Sequence, residues 1–117
     1  MKDFKKLKVW EKAHRLTLNV YDASSNFPRE ELYGLTSQIR RSCVSIPTNI
    51  AEGCGRSTDT DFARFLQIAM GSASEVEYLL LLGRDLRLLL SQDYEKLSSE
   101  VIEIKRMLTT LIKTLRS

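Results

Sequence analysis

One histidine and two cysteines in 117 residues leave this chain few of the side chains that most often act as nucleophiles, bases or metal ligands. A metal site needs three or four ligands, and His14 with Glu11 three residues before it supplies two at most. A cysteine nucleophile would have to borrow that same His14, and no local motif around Cys43 or Cys54 supports the pairing. The glycine-rich piece Gly53-Cys54-Gly55-Arg56-Ser57 lacks the lysine and spacing of a phosphate-binding loop. The sequence therefore points to no catalytic residue, no metal and no cofactor. His14 reads as a solvated surface residue.

The scarcities also bound the class. Two prolines and 43% hydrophobic residues exclude a disordered or low-complexity chain. The length suits one domain, spanning residues 1–117. No apolar run of a secretory signal follows the charged start Met1-Lys2-Asp3-Phe4-Lys5-Lys6. The most apolar stretch, Val76 to Leu90, is interrupted by Gly83, Arg84, Asp85 and Arg87, and is expected to be too short and too charged to span a membrane. The expected compartment is the cytoplasm. Cys43 and Cys54 lie eleven residues apart in one expected helix, about 16 Å along its axis, so they cannot bridge within one chain. Two small apolar residues on a buried face is the preferred reading over a redox pair between subunits.

What is present is helical periodicity. Val9, Ala13, Leu16, Val20 and Phe27 predict a first helix over about 8–26, stopped by Pro28. Residues 28–35 read as a turn with a short helical start. Thr36 is the expected N-cap of a second helix over about 36–53, with Ile39, Cys43, Ile46 and Ile50 as its seam. Pro47 should kink it, and glycines 53 and 55 should end it. Thr58 or Asp59 then caps a third helix, about 59–90. Its strict line is Phe62, Leu66, Ala69, Ala73, Val76 and Leu80; a second line, Phe65, Ile68, Ser72, Leu79, Leu82, Leu86 and Leu89, calls for burial on more than one side. Ser91 should cap a fourth helix, about 92–116. There Tyr94, Leu97, Val101, Ile104, Leu108, Leu111 and Leu115 repeat at a 3.5-residue period, the pattern of supercoiled packing. Short connections favour antiparallel neighbours, giving an all-α, up-down-up-down four-helix bundle.

Charge is uneven along the chain. Residues 1–57 hold ten Lys/Arg against six Asp/Glu, and residues 58–117 hold eight against nine. A basic half is an electrostatic invitation to a polyanion. Phe4, Trp10 and Tyr21 look committed to packing rather than base stacking, so contact with nucleic acid would be to the phosphate backbone. On the second helix Arg41, Ser45, Thr48, Asn49, Glu52 and Arg56 fall opposite the isoleucine seam. That stripe reads equally as a solvated face with a Glu52–Arg56 pair, or as a polar interface or anion site.

Several of these pieces resemble one family. They are Leu7-Lys8-Val9-Trp10, Phe27-Pro28, Glu31-Leu32-Tyr33-Gly34-Leu35, Gln38-Ile39-Arg40-Arg41, Ser45-Ile46-Pro47-Thr48-Asn49-Ile50-Ala51-Glu52-Gly53, Phe65-Leu66 and Gly71-Ser72 with Glu75. Together they resemble the small four-helix-bundle proteins encoded in intervening sequences of bacterial 23S rRNA genes. The accessory variability proteins of diversity-generating retroelements are similar; those are basic pentamers that bind nucleic acid and a reverse transcriptase. The resemblance implies a homopentameric, barrel-like ring. It makes Arg41, Asn49, Glu52, Ser72 and Glu75 candidate interface residues, with Arg40 or Arg41 expected to pair with Glu75 within or between subunits. Lys5, Lys6, Lys8, Arg40, Arg41 and Arg56 are the candidate contacts to RNA or DNA. A protein-interaction adaptor without nucleic-acid binding is the alternative.

Overall fold

A computed structural model describes residues 2–117. Four α-helices carry the fold: α1 (Lys8–Ser24), α2 (Ser37–Cys54), α3 (Asp59–Asp85) and α4 (Ser91–Arg116). Among the described residues there is no strand. Each helix packs on its neighbours in sequence, and α4 returns to α1, so the four close into a square. The molecule measures 43 × 22 × 20 Å.

The apolar stripes form the core. Val9, Ala13, Leu16 and Val20 of α1 and Ile39, Cys43, Ile46 and Ile50 of α2 are buried. The strict line of α3, Phe62 to Leu80, is buried throughout. Its second line divides: Phe65 and Leu79 are buried, while Ile68 and Leu86 are about half exposed, at 43% and 51%. On α4 the buried set is Leu97, Val101, Ile104, Leu108 and Ile112, whereas Leu111 is only half-buried. The seam thus steps from 108 to 112, not to 111. A helix with 3.6 residues per turn drifts in this way from a 3.5-residue repeat, so the last turns follow straight-helix rather than coiled-coil geometry. Lys12 meets Glu103 at 3.0 Å and Asn19 donates to Glu100 at 3.2 Å, tying α4 to α1. An exposed pair of this kind contributes about 0.2–1 kcal/mol.

Three helix ends differ from expectation. Thr36 is buried and helical and caps nothing; the Glu31 carboxylate caps the preceding π-turn (Leu32–Thr36) by accepting from the Leu35 N–H at 3.2 Å. Leu90, not Ser91, stands at the N-cap of α4, with no side-chain bond. Helix α3 ends at Asp85 because the chain reverses at Arg87, whose φ of 63° is left-handed. Leu88 N–H reaches the Gly83 carbonyl at 2.9 Å and Arg87 N–H the Arg84 carbonyl at 2.9 Å, the paired bonds of a Schellman motif. The reversal returns Leu89 to the core. The expected Thr58 cap is present, its hydroxyl accepting from Asp61 N–H at 3.1 Å.

Pro47 does not interrupt α2, which is continuous from Ser37 to Cys54. Its missing N–H frees the Cys43 carbonyl, and the Thr17 hydroxyl of α1 lies 3.4 Å from that oxygen. Helix α3 is, by length and composition alone, long and apolar enough to cross a membrane, because its apolar window begins earlier than Val76. In this fold it lies between α2 and α4.

Arg87 is a non-glycine residue held where glycine is favoured. Arg87→Gly is expected to raise stability by about 0.5–1 kcal/mol after allowing for the looser unfolded chain. Urea denaturation checks it: the midpoint should rise with an unchanged slope.

A candidate nucleic-acid interface and a polar groove

Antiparallel order gathers the start of α1, the end of α2, the start of α3 and the end of α4 at one end of the bundle. Segments 2–11, 50–64 and 106–117 meet there and carry nine Lys/Arg against five Asp/Glu. At the opposite end, segments 20–41 and 78–100 carry six against seven. The basic end includes Lys5, Lys6, Lys8 and Arg56, all exposed. It also includes Arg64, Arg106, Lys113 and Arg116, which inspection of the sequence did not single out. Their signal was available in the helix order, because an up-down-up-down bundle must lay the end of α4 beside the start of α1.

The N-terminal segment is docked rather than trailing. Lys2 N–H donates to the Cys54 carbonyl at 2.9 Å, filling an acceptor left open at the end of α2. Asp3 caps the short turn Phe4–Lys6 by accepting from Lys5 N–H at 3.0 Å. Phe4 packs edge-on against Trp10, with centroids 4.9 Å apart, and Trp10 stacks on His14 at 5.0 Å. Arg56 and Arg64 both lie over the Phe65 ring, at 4.7 and 4.6 Å from its centroid. Each also has a loose carboxylate partner, Glu52 at 3.8 Å and Asp61 at 3.5 Å.

The candidate cations are not all in one place. Arg40 and Arg41 sit near the other end of α2, about 22 Å from Arg56 along the helix axis for Arg41. Arg40 is occupied: its Nε donates to Ser24 Oγ at 2.8 Å, Nη2 to the Tyr21 carbonyl at 3.1 Å, and its guanidinium covers the Tyr21 ring at 4.7 Å. It closes the C-terminal end of α1. That role competes with phosphate contact.

Arg41 faces a groove of about 500 Å³ between α2 and α3, lined by Tyr33, Gly34, Ser37, Gln38, Ser42, Ser45, Ser72 and Glu75. Ser72 donates to Ser45 at 2.9 Å, and Asn49 Nδ2 bonds the Ser45 carbonyl and hydroxyl at 2.8 and 3.0 Å. Four candidate interface residues, Arg41, Asn49, Ser72 and Glu75, are therefore in or beside one groove. Glu52 lies further along α2, with Arg56. The expected Arg–Glu75 pair does not form within the subunit; Glu75 instead accepts from Gln38 Nε2 at 3.5 Å. Tyr33, on the groove's rim, is 94% exposed.

Both cysteines are buried and free. Burial, opposed in part by the Thr17 hydrogen bond, pushes the Cys43 thiol from its ordinary 9.0 up to about 11. Burial raises Cys54 too, against the opposing Lys2 charge. Neither is a thiolate nucleophile at neutral pH. Among the described residues, no three His, Cys, Asp or Glu side chains come close enough to hold a metal ion.

The fold is a closed antiparallel four-helix bundle with a basic end and a polar groove on its flank. The profile of the 23S rRNA-intervening sequence protein family matches residues 5–110, and the chain belongs to that family. A crystal structure of a protein of unknown function from the S23 ribosomal protein family of Bacteroides thetaiotaomicron is similar: 29% identity and a TM-score of 0.81, over 90% of this chain and 98% of that one. A comparison with curated proteins finds no match.

Arg40→Ala is expected to lower stability by about 1–3 kcal/mol through the two lost charge-assisted bonds, measured by thermal or urea unfolding. Any RNA affinity of the folded variant should stay within about twofold of wild type. A tenfold loss of binding at full stability would return Arg40 to the interface.

Proposed function

We propose that this protein acts without catalysis, as a self-associating bundle that holds the phosphate backbone of RNA or DNA at its basic end, in the bacterial cytoplasm. The observation that carries this reading is the gathering of Lys5, Lys6, Lys8 and Arg56 with the basic end of α4 at one end of the bundle. Cations on exposed, docked turns neutralise phosphates and release counterions, which gives affinity without sequence readout. Family membership supports the setting, since the family is described by its place in 23S rRNA genes.

The test is a titration of labelled duplex RNA and duplex DNA at several salt concentrations. With four cations engaged per protomer, the slope of log K against log salt is expected near −3 to −4 per protomer on DNA. Replacing Lys5, Lys6 and Lys8 together with Gln should flatten it by about 2–3. Micromolar protein that shifts no RNA or DNA at low salt would sink the reading.

Self-association belongs to the same proposal, as a homopentameric ring assembled through the α2–α3 groove. Among the described residues the groove supports it by offering Arg41 with no ion-pair partner, Glu75 held only by a long amide bond, and hydroxyls with small side chains that let another chain approach. Arg41→Glu is expected to shift the light-scattering mass toward monomer, and adding Glu75→Arg to restore it. An unchanged mass in the single variant refutes the pairing between subunits.

A further inference from the structure

A second surface at the basic end has a different chemistry. Between the start of α1 and the end of α4 runs an open groove of about 440 Å³, floored by Leu7, Val9, Met107 and Leu111. Lys8 stands on its α1 side and Arg106 on its α4 side, and neither makes an ion pair among the described residues. The Lys12–Glu103 pair lies one turn beyond them. Both walls are built mainly from helical residues, which present no row of ladder groups along the groove for a strand to pair with. Recognition here must come from side chains meeting an apolar floor between two cations.

We propose that this groove docks an acidic amphipathic helix of a partner protein, with aliphatic residues at i, i+3 (or i+4) and i+7 on the floor and carboxylates beside Lys8 and Arg106. Charge complementarity selects the acidic partner. The floor contributed by α4 runs from Met107 to Leu111, about one turn, and Met107 is a flexible side chain of the kind that adapts to a seated helix. Lys8 serves both this surface and the nucleic-acid reading; the floor serves only this one. The bundle would then carry a protein on its flank beside the polyanion at its end.

The probe is a fluorescein-labelled synthetic helical peptide with leucines at those positions and flanking glutamates, titrated by anisotropy into the full-length protein. A second peptide keeps the leucines and replaces the glutamates with lysines. The acidic peptide is expected to bind at least about tenfold more tightly than the basic one. Met107→Lys should weaken the acidic peptide about tenfold while leaving duplex RNA binding equal or stronger, so failure of this proposal is distinct from failure of the nucleic-acid reading. Thr110 is exposed on the groove's wall, which makes a folding defect from its replacement unexpected. Thr110→Lys should tighten, and Thr110→Glu weaken, acidic-peptide binding severalfold. Equal binding of the two peptides overturns the proposal. So does a Thr110 pair with no effect, or a Met107→Lys variant whose light-scattering mass falls, which would mean that a second copy covers the groove.

Discussion

The close approach of α2 and α3 around Gly53 is the constraint on which the rest of the molecule depends. A Cβ at Gly53 would stand 2.9 Å from Phe62 Cδ1 and 3.0 Å from Phe65 Cβ, closer than carbon atoms tolerate. Only hydrogen at this position lets the two phenylalanines lie against the end of α2. The four residues 55–58 can then turn the chain directly into α3, with Thr58 capping it. The Phe65 ring fixed there carries Arg56 and Arg64, and the Cys54 carbonyl beside it anchors the N-terminal segment through Lys2. Three of the four chain segments at the basic end are therefore positioned by one contact. Further along the same two helices, the same closeness brings Ser72 within hydrogen-bonding distance of Ser45 and so shapes the polar groove.

A proline in the middle of α2 ought to weaken such a seam. Helix α2 nonetheless runs unbroken, and part of the cost is met from the other side. The carbonyl left without its helical partner belongs to Cys43, and the Thr17 hydroxyl lies beside it, with the Cys43 thiol donating to that same oxygen at 3.7 Å. The single Thr17 proton is shared, strongly with the Ala13 carbonyl of its own helix at 2.8 Å and weakly with the Cys43 carbonyl, while the same oxygen accepts from the Cys43 thiol. A polar cluster of this size is tolerable in a core only because each member has a partner. Among the described residues, no fully buried side-chain nitrogen or oxygen lacks one.

Much of this was legible in the residues. The buried seams of α1 and α2 and the strict line of α3 follow the 3- and 4-residue spacing position by position. Helix ends were harder, because they are set by whichever group reaches the free N–H or C=O first. Glu31 acts where Thr36 was expected, and an arginine takes the left-handed position past α3 that composition alone would assign to glycine. The basic surface was legible only in part. Counting charge by halves of the sequence finds Lys5, Lys6, Lys8 and Arg56 but assigns Arg64, Lys113 and Arg116 to the acidic half, although the fold places all seven together. Arg40 shows the reverse failure: its type and neighbours suit a phosphate contact, and only the end of α1, sixteen positions earlier, reveals what it holds.

The separation of the two surfaces has a consequence for how a chain of net charge +3 could hold a polyanion. Arg41 lies about 22 Å along α2 from Arg56, so assembly through the polar groove would leave the basic end uncovered. Cyclic symmetry relates subunits by rotation about a single axis, so with the bundles standing along that axis the equivalent ends would all emerge on one face of a ring. Each subunit's few phosphate contacts would be weak at physiological salt. Once one subunit has bound, however, its neighbours would meet the same nucleic acid at high effective concentration. Affinity would then depend on assembly as well as on charge. Weakening the groove contact should lower nucleic-acid affinity even though Arg41 is remote from the basic end, an effect that a monomeric binding surface would not produce.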